Sequence, residues 1–522
     1  MTTRTEQRPR AAGSILAAAA AAVAGLVLAS AGVWAQGQEL GRINFKTSAS
    51  PAAQAHFLRG ALLLHSFEYP DAAEAFRKAQ EIEPGFAMAC WGEAMTYNHP
   101  LWMQQDRDGA RKALERLAPS AAARLSKAPT ERERMYLEAV ETLYGQGDQP
   151  ARDAAYAGAM RRLHERFPDD LDAAALYGLS LIGATEGKRD FAAYMKAAAV
   201  VEEVFAKNPQ HPGAAHYLIH CYDDPVHAPL GMRPARVYAK IAPDAVHALH
   251  MPSHIFFASG MWPEAAASNE ASWKASVDRA QRLKLSAGEH SFHALSWLEY
   301  AYLQLGQKAE ARRTLQAMEA DAKASPTERT RDSLSGMRAV WIVETGDCSA
   351  DVLPAEDAGR PRDLFVRGLC RLAAGDRAGA EKALEVMRAK VPGASEGGEH
   401  AHGVSVSGSY SGRVRRDVAA ILEVELEAKI ALARGEKDRA AALAREAAAA
   451  EDAMTFEFGP PNVVKPAHEL SGEILLEIGQ PGQARSEFEA SLARAPGRAL
   501  SLKGLEAAAA AAGKTAPQGN GE

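Results

Sequence analysis

The chain has 522 residues, well beyond the ~100–200 of an ordinary compact domain, so it holds several domains or one architecture extended by repetition. Hydrophobic residues make up 47% and charged residues 24%, the balance of a folded protein, and a net charge of −6 excludes the basic footprint of a nucleic-acid binder. Four cysteines are too few for a disulfide-dense scaffold, whereas sixteen histidines are the one compositional excess.

Residues 1–35 read as an address rather than as structure. Arg4, Arg8 and Arg10 precede an apolar run from Ile15 to Leu28, and Val33-Trp34-Ala35 supplies the small residues of a secretory cleavage site. Cleavage is expected after Ala35, with Ala31 as the second choice, and delivers the protein to the periplasm or the exterior. An uncleaved anchor is the alternative, because the run reaches only the lower limit of a bilayer span. No twin-Arg pair and no lipid-accepting Cys accompany it, and no later segment has transmembrane length without charges. The mature chain therefore has no transmembrane domain once the signal is removed.

Residues 36–50 read as a linker. From 51 to 395 and again from 414 to 512, alanine-rich amphipathic stretches of ~12–18 residues alternate with Gly/Pro/Asn punctuation, which predicts helices and an all-α fold without a sheet. The Gly/Ser-rich stretch 396–413 predicts a long loop, the helix Ser501–Ala512 a solvated cap, and 513–522 a disordered tail.

The helices repeat. Gly60, Leu63, Ala72, Phe76, Ala79 and Pro84 stand in a spacing that Gly472, Leu475, Ala484, Phe488 and Pro496 reproduce; Ala197, Val201 and Pro209, then Ala380, Leu384 and Pro392, repeat its second half. Small residues admit close helix approach, the large apolar residue fills the gap, and proline ends the second helix. This pattern resembles the tetratricopeptide repeat superfamily over most of the mature chain. The resemblance implies an α-solenoid of stacked antiparallel helix pairs, with a concave face that holds a peptide, a protein or a small-molecule ligand.

Nine histidines fall between His211 and His293, among them two i,i+4 pairs, His216/His220 and His250/His254. On a helix each pair shares one face. The pairs are offset by 34 residues, one repeat period, which puts them on equivalent helices of neighbouring repeats. His65 and His99 are also 34 apart. We therefore expect His216, His220, His250 and His254 to converge on one transition metal ion, zinc or copper, with Asp224 and Glu289 completing or orienting the shell. Nitrogens of the two pairs should then approach within ~3–5 Å. Pro252, between His250 and His254, argues against a simple helical pair there. His65, His99, Trp102, His227, His247, His290 and His293 are candidates for the groove around the ion.

Catalysis is left open. No HExxH, nucleophile elbow, Walker loop or dinucleotide fingerprint is present. A metal-bound water with Asp224 or Glu289 as base is the simplest chemistry such a site offers. The alternative is a metal-free peptide- or protein-binding scaffold of the cell envelope. Cys348 and Cys370 are a possible disulfide, Cys90 and Cys221 read as buried thiols, and His400 and His402 as surface residues of the loop.

Overall fold

The computed structural model describes residues 1–2, 38–355, 358–390, 412–456 and 458–515. The chain divides into two compact units, 1–39 and 40–522. The predicted signal segment 1–35, residues 396–411 with His400 and His402, and 516–522 lie outside the described residues. No described helix is long and apolar enough to cross a membrane.

Residues 40–515 form an all-α solenoid of helix pairs. Pro51–His65 packs on Tyr69–Ile82, Leu171–Gly183 on Phe191–Lys207, Pro212–Cys221 on Ala228–Ile241, and Ala467–Glu477 on Pro481–Arg494. Ser50, Thr130, Asp148, Asp170, Asp190 and Thr327 each cap a helix by accepting a first-turn amide, which satisfies donors the helix itself cannot. The repeat residues meet as their sizes require. A Cβ on Gly60 would stand 2.7 Å from the Phe76 ring, and one on Gly472 would stand 2.8 Å from Phe488, so glycine alone allows these helices to close.

Three features depart from the expected repeat. A two-stranded hairpin, Asn98–His99 with Gln104–Gln105, interrupts the helices. The stretch expected as a linker is packed from Leu40 on: Arg42 bonds Gln210 and Asn208, and Phe45 is buried against Phe57, Trp91 and Tyr136. The helices also overrun the expected loop and tail, with Gly412–Ala433 beginning inside the loop and Ala499–Thr515 passing Ala512, carried by its alanine run. Cys348 and Cys370 form a disulfide, and Cys90 and Cys221 are buried free thiols.

The solenoid returns on itself. Trp262 Nε1 donates to Gly497 O at 3.0 Å, and Arg498 reaches Tyr300 OH at 2.7 Å and Glu344 at 2.6 Å. Phe458 lies against His220 and His254, with ring centroids 6.2 and 4.9 Å away. The central helices are thereby covered by the C-terminal segment at these contacts.

Candidate metal centre

Pro212–Cys221 carries His216 and His220 on one face, and their Nε2 atoms lie 3.1 Å apart. The next repeat opens with two short helices, Val246–His250 and Pro252–Ala258, broken at Met251 as Pro252 requires. His250 and His254 nevertheless face each other, Nε2 to Nε2, at 3.0 Å. All four are at most 2% exposed, so the imidazoles sit inside the protein rather than on an open groove.

The two pairs meet at His220 and His254, whose ligand nitrogens lie within 4.8 Å of each other as expected, while each pair also gathers a third histidine into a triad. His247 Nε2 lies 3.1 Å from His216 Nε2, which makes His216, His220 and His247 one group with a ligand nitrogen each. His293, from the helix Phe292–Gln304, lies with its ring centroid 4.5 Å from that of His250, making His250, His254 and His293 the second. Between the triads, His220, His254 and Asp223 offer ligand atoms within 4.8 Å of one another.

Hydrogen bonds fix which nitrogen of several rings faces inward. His216 Nδ1 donates to His65 O at 2.7 Å, His254 Nδ1 to Asp223 Oδ2 at 2.5 Å, and His250 Nδ1 to Asn269 Oδ1 at 2.6 Å. Asn269 is oriented in turn, because its amide nitrogen donates to Ala265 O. Each of these rings thus carries a proton on Nδ1 and turns Nε2 toward its neighbour. Burial first, and then the neighbouring imidazoles, hold His216, His220, His247, His250 and His293 well below the usual histidine range, so they are neutral at pH 7. Nε2 atoms that face each other at 3.0 Å are joined either by a proton or by a cation. His293 Nε2 and Asp223 Oδ1 are buried and have no hydrogen-bond partner. The donor set therefore fits a borderline transition metal ion and leaves unpaired atoms for it.

The fold is a tetratricopeptide-type α-solenoid. Solved structures similar to this chain include yeast Tom70, at 14% identity over 88% of this chain and 96% of that one with a TM-score of 0.33. The APC/C hetero-tetramer Cut9–Hcn1 is similar at 13% identity over 89% and 78% with a TM-score of 0.35. The P58(IPK) TPR domain follows at 13% over 89% and 99%, with a TM-score of 0.24. No family model and no curated protein matches the sequence. The assignment of the fold rests on the helix pairs of this chain and their glycine–phenylalanine contacts.

Several solenoid residues expected at the site lie elsewhere. Asp224 is taken by Arg189 at 2.8 Å and His227 at 2.9 Å; burial would raise its carboxyl, but these partners hold it below the usual range. Its neighbour Asp223 turns inward instead. Glu289 is exposed in a short turn, and His290 is bound to Asp321 at 2.7 Å. His65 bonds Tyr217 at 2.9 Å and Asp172 at 3.0 Å, and with Asp172 and His211 forms a separate buried group outside the two triads. His99 stacks on Tyr69 at 4.0 Å, and Trp102 meets Phe67 and His247 by its edge. The 34-residue offset of His65 and His99 thus brings no convergence.

Sequence reasoning placed His247 and His293 only in the surrounding groove. The i,i+3 spacing of His247 and His250 was the signal available for the first. Asn269, Phe67 and Phe458 were missed altogether. Phe67 adopts a left-handed backbone (φ 56°), a costly conformation for a bulky residue. Its ring contacts His216 at 4.3 Å and separates the first triad from an apolar cavity lined by Leu64, Met95, Tyr156, Leu176 and Tyr217. Arg189 holds the C-terminal carbonyls of His220 and Cys221, which fixes the helix end that presents His220.

Proposed function

We propose that this protein is an exported solenoid whose buried central repeats bind a transition metal ion, zinc or copper. The observation that carries the reading is the pairing of His250 and His254, whose Nδ1 protons are committed to Asn269 and Asp223 while their Nε2 atoms meet at 3.0 Å. Metal-ligating histidines are oriented in this way by acceptors on the far nitrogen. Neutral imidazoles suit zinc and copper better than calcium or magnesium. Export is supported by the signal pattern of residues 1–35 and by the Cys348–Cys370 bridge, which suits an oxidising compartment.

Elemental analysis of protein purified from its native compartment tests the reading; metal-free protein that takes up neither zinc nor copper would end it. N-terminal sequencing should find Gln36 first, and an intact Met1 on membrane-bound protein would replace export with anchoring.

A second reading, a metal-free scaffold for a peptide or protein, draws on three exposed apolar side chains. Phe191, Val226 and Leu230 are 45, 75 and 57% exposed beside His227. On that reading, replacing Val226 and Leu230 with Ser would abolish function in a chain that carries no metal.

A further inference from the structure

We propose that the centre holds two metal ions, one in each histidine triad, rather than one ion shared by four histidines. The proposal rests on the metal-binding reading above and goes beyond it in number and ligand set: His216, His220 and His247 for one ion, His250, His254 and His293 for the other.

The partition follows from the rings. Within the first triad, His216 lies 4.8 Å from His220 and 4.9 Å from His247 between centroids. Within the second, His250 lies 4.8 Å from His254 and 4.5 Å from His293. His216 Nε2 and His250 Nε2 are each the focus of their own group, and each has its other nitrogen bonded to a backbone or amide oxygen. A single ion shared by the original four would leave His247 and His293 as buried imidazoles beside it without a task. Two ions use all six. Three imidazoles per ion leave each with a free position for water or a small ligand, unlike a closed four-ligand site.

The triads abut. His220 and His254 lie 5.5 Å apart and His247 and His250 6.1 Å apart between centroids, distances no greater than the longest within a triad. Two dications this close repel each other, and a buried anion must offset that repulsion. Asp223 is placed to do so. It lies between His220 and His254, one oxygen is spent on His254, and the other is buried without a partner. The unpaired oxygen is an independent sign that a cation belongs beside it.

The test is stoichiometry and coupling in the full chain. Metal-stripped protein titrated with zinc alone, with content read by elemental analysis after desalting, should hold about two ions per chain. His216→Gln with His247→Gln should reduce this to about one, and so should His250→Gln with His293→Gln. Loaded with copper(II) instead, the unmodified chain should show an electron paramagnetic resonance spectrum broadened by dipolar coupling, with a half-field transition, because the ions are adjacent. Either double variant should restore the unbroadened spectrum of one isolated copper. One zinc per chain, lost with both variants, would overturn the two-ion proposal and leave the single-ion reading standing. One zinc lost with only one variant would assign the site to that triad alone and also overturn the proposal. No uptake at all would overturn both. Two ions whose copper spectrum shows neither dipolar broadening nor a half-field transition would show that the sites are not neighbours and end the proposal. The stoichiometry and coupling of the unmodified chain decide the matter even if a variant fails to fold.

Discussion

Asn269 Oδ1 lies 2.6 Å from His250 Nδ1, and it is held there because the Asn269 amide donates to Ala265 O at 2.8 Å. One asparagine on the long helix Trp262–Leu283 thereby decides the tautomer of a histidine on the short helix packed against it. Asn269→Ala should weaken zinc binding by ~10–100-fold while leaving helical content unchanged, the usual cost of losing a partner behind a ligand. Competition with a chelator of known affinity measures it. Ser253 Oγ, 3.4 Å from the same nitrogen, places the effect toward the lower end. An unchanged affinity would show that Asn269 does not orient the ring.

Arg498 is fully buried and ties the last repeats to the middle of the chain through Glu469, Glu344 and Tyr300. Burial alone would raise the Glu469 carboxyl, but the charges of Arg498 and Lys465 hold it well below its usual range. Arg498→Met leaves two carboxylates buried and only Lys465 beside one of them. It should destabilise the protein by ~3–5 kcal/mol. Thermal melting, with limited proteolysis reporting first release of residues beyond about 460, checks both size and place.

Glu425 is buried with neither oxygen hydrogen-bonded. Burial pushes its carboxyl well above the usual range; Glu451, Glu473 and Glu469 add repulsion, and Lys465 opposes it. Below the unfolded value of ~4.3 both states hold the proton. As pH rises past it, the unfolded chain releases the proton and the folded chain does not, so stability from this residue falls until the folded carboxyl ionises. Glu425→Gln should therefore raise the melting temperature at neutral pH and change it little near pH ~4. An equal shift at both would contradict the burial of a protonated carboxyl.

The Cys348–Cys370 bridge joins residues 22 apart in sequence, with Cys370 buried among apolar side chains. Reduction should cost ~3 kcal/mol by restoring entropy to the unfolded chain. A melt in reductant, compared with the Cys348→Ala, Cys370→Ala double variant under oxidising conditions, should show the same loss. Equal stability in all three would mean that the bridge does not form in solution.

Gly60→Ala brings a methyl to 2.7 Å from the Phe76 ring, whose rotation is already restricted by Phe57 at 5.7 Å. Overpacking of this kind costs ~1–3 kcal/mol. Denaturant unfolding measures it. A neutral result would mean that the ring gives way.

The repeat was legible because it is local. Gly60 and Phe76 are separated by one turn of chain, and the same sizes recur at Gly472 and Phe488. The two histidine pairs were legible for the same reason, through their shared period. What periodicity could not carry is which imidazoles group together. His247 turns toward the first pair although it lies three residues before His250 on the same short helix. His293 stands 39 residues after His254, off the period, and arrives from the next repeat. Asp223 and Asp224 were indistinguishable in sequence; Arg189 separates them by binding only the second. The open concave face was expected from the repeat class, but Phe458 and Arg498 come back over it, and long-range closure leaves no periodic trace.

Phe458 also sets an order in time. An open stack of repeats can form from its first units while the rest of the chain is still emerging. Here the ring that covers His220 and His254 belongs to a segment more than two hundred residues later, and the arginine that anchors its neighbourhood is later still. The imidazoles come from earlier repeats, but His220 and His254 lack this cover until the segment of Phe458 docks. The interval before that docking is the window in which an ion can reach them without this cover, and a chain truncated before residue 458 would never close it.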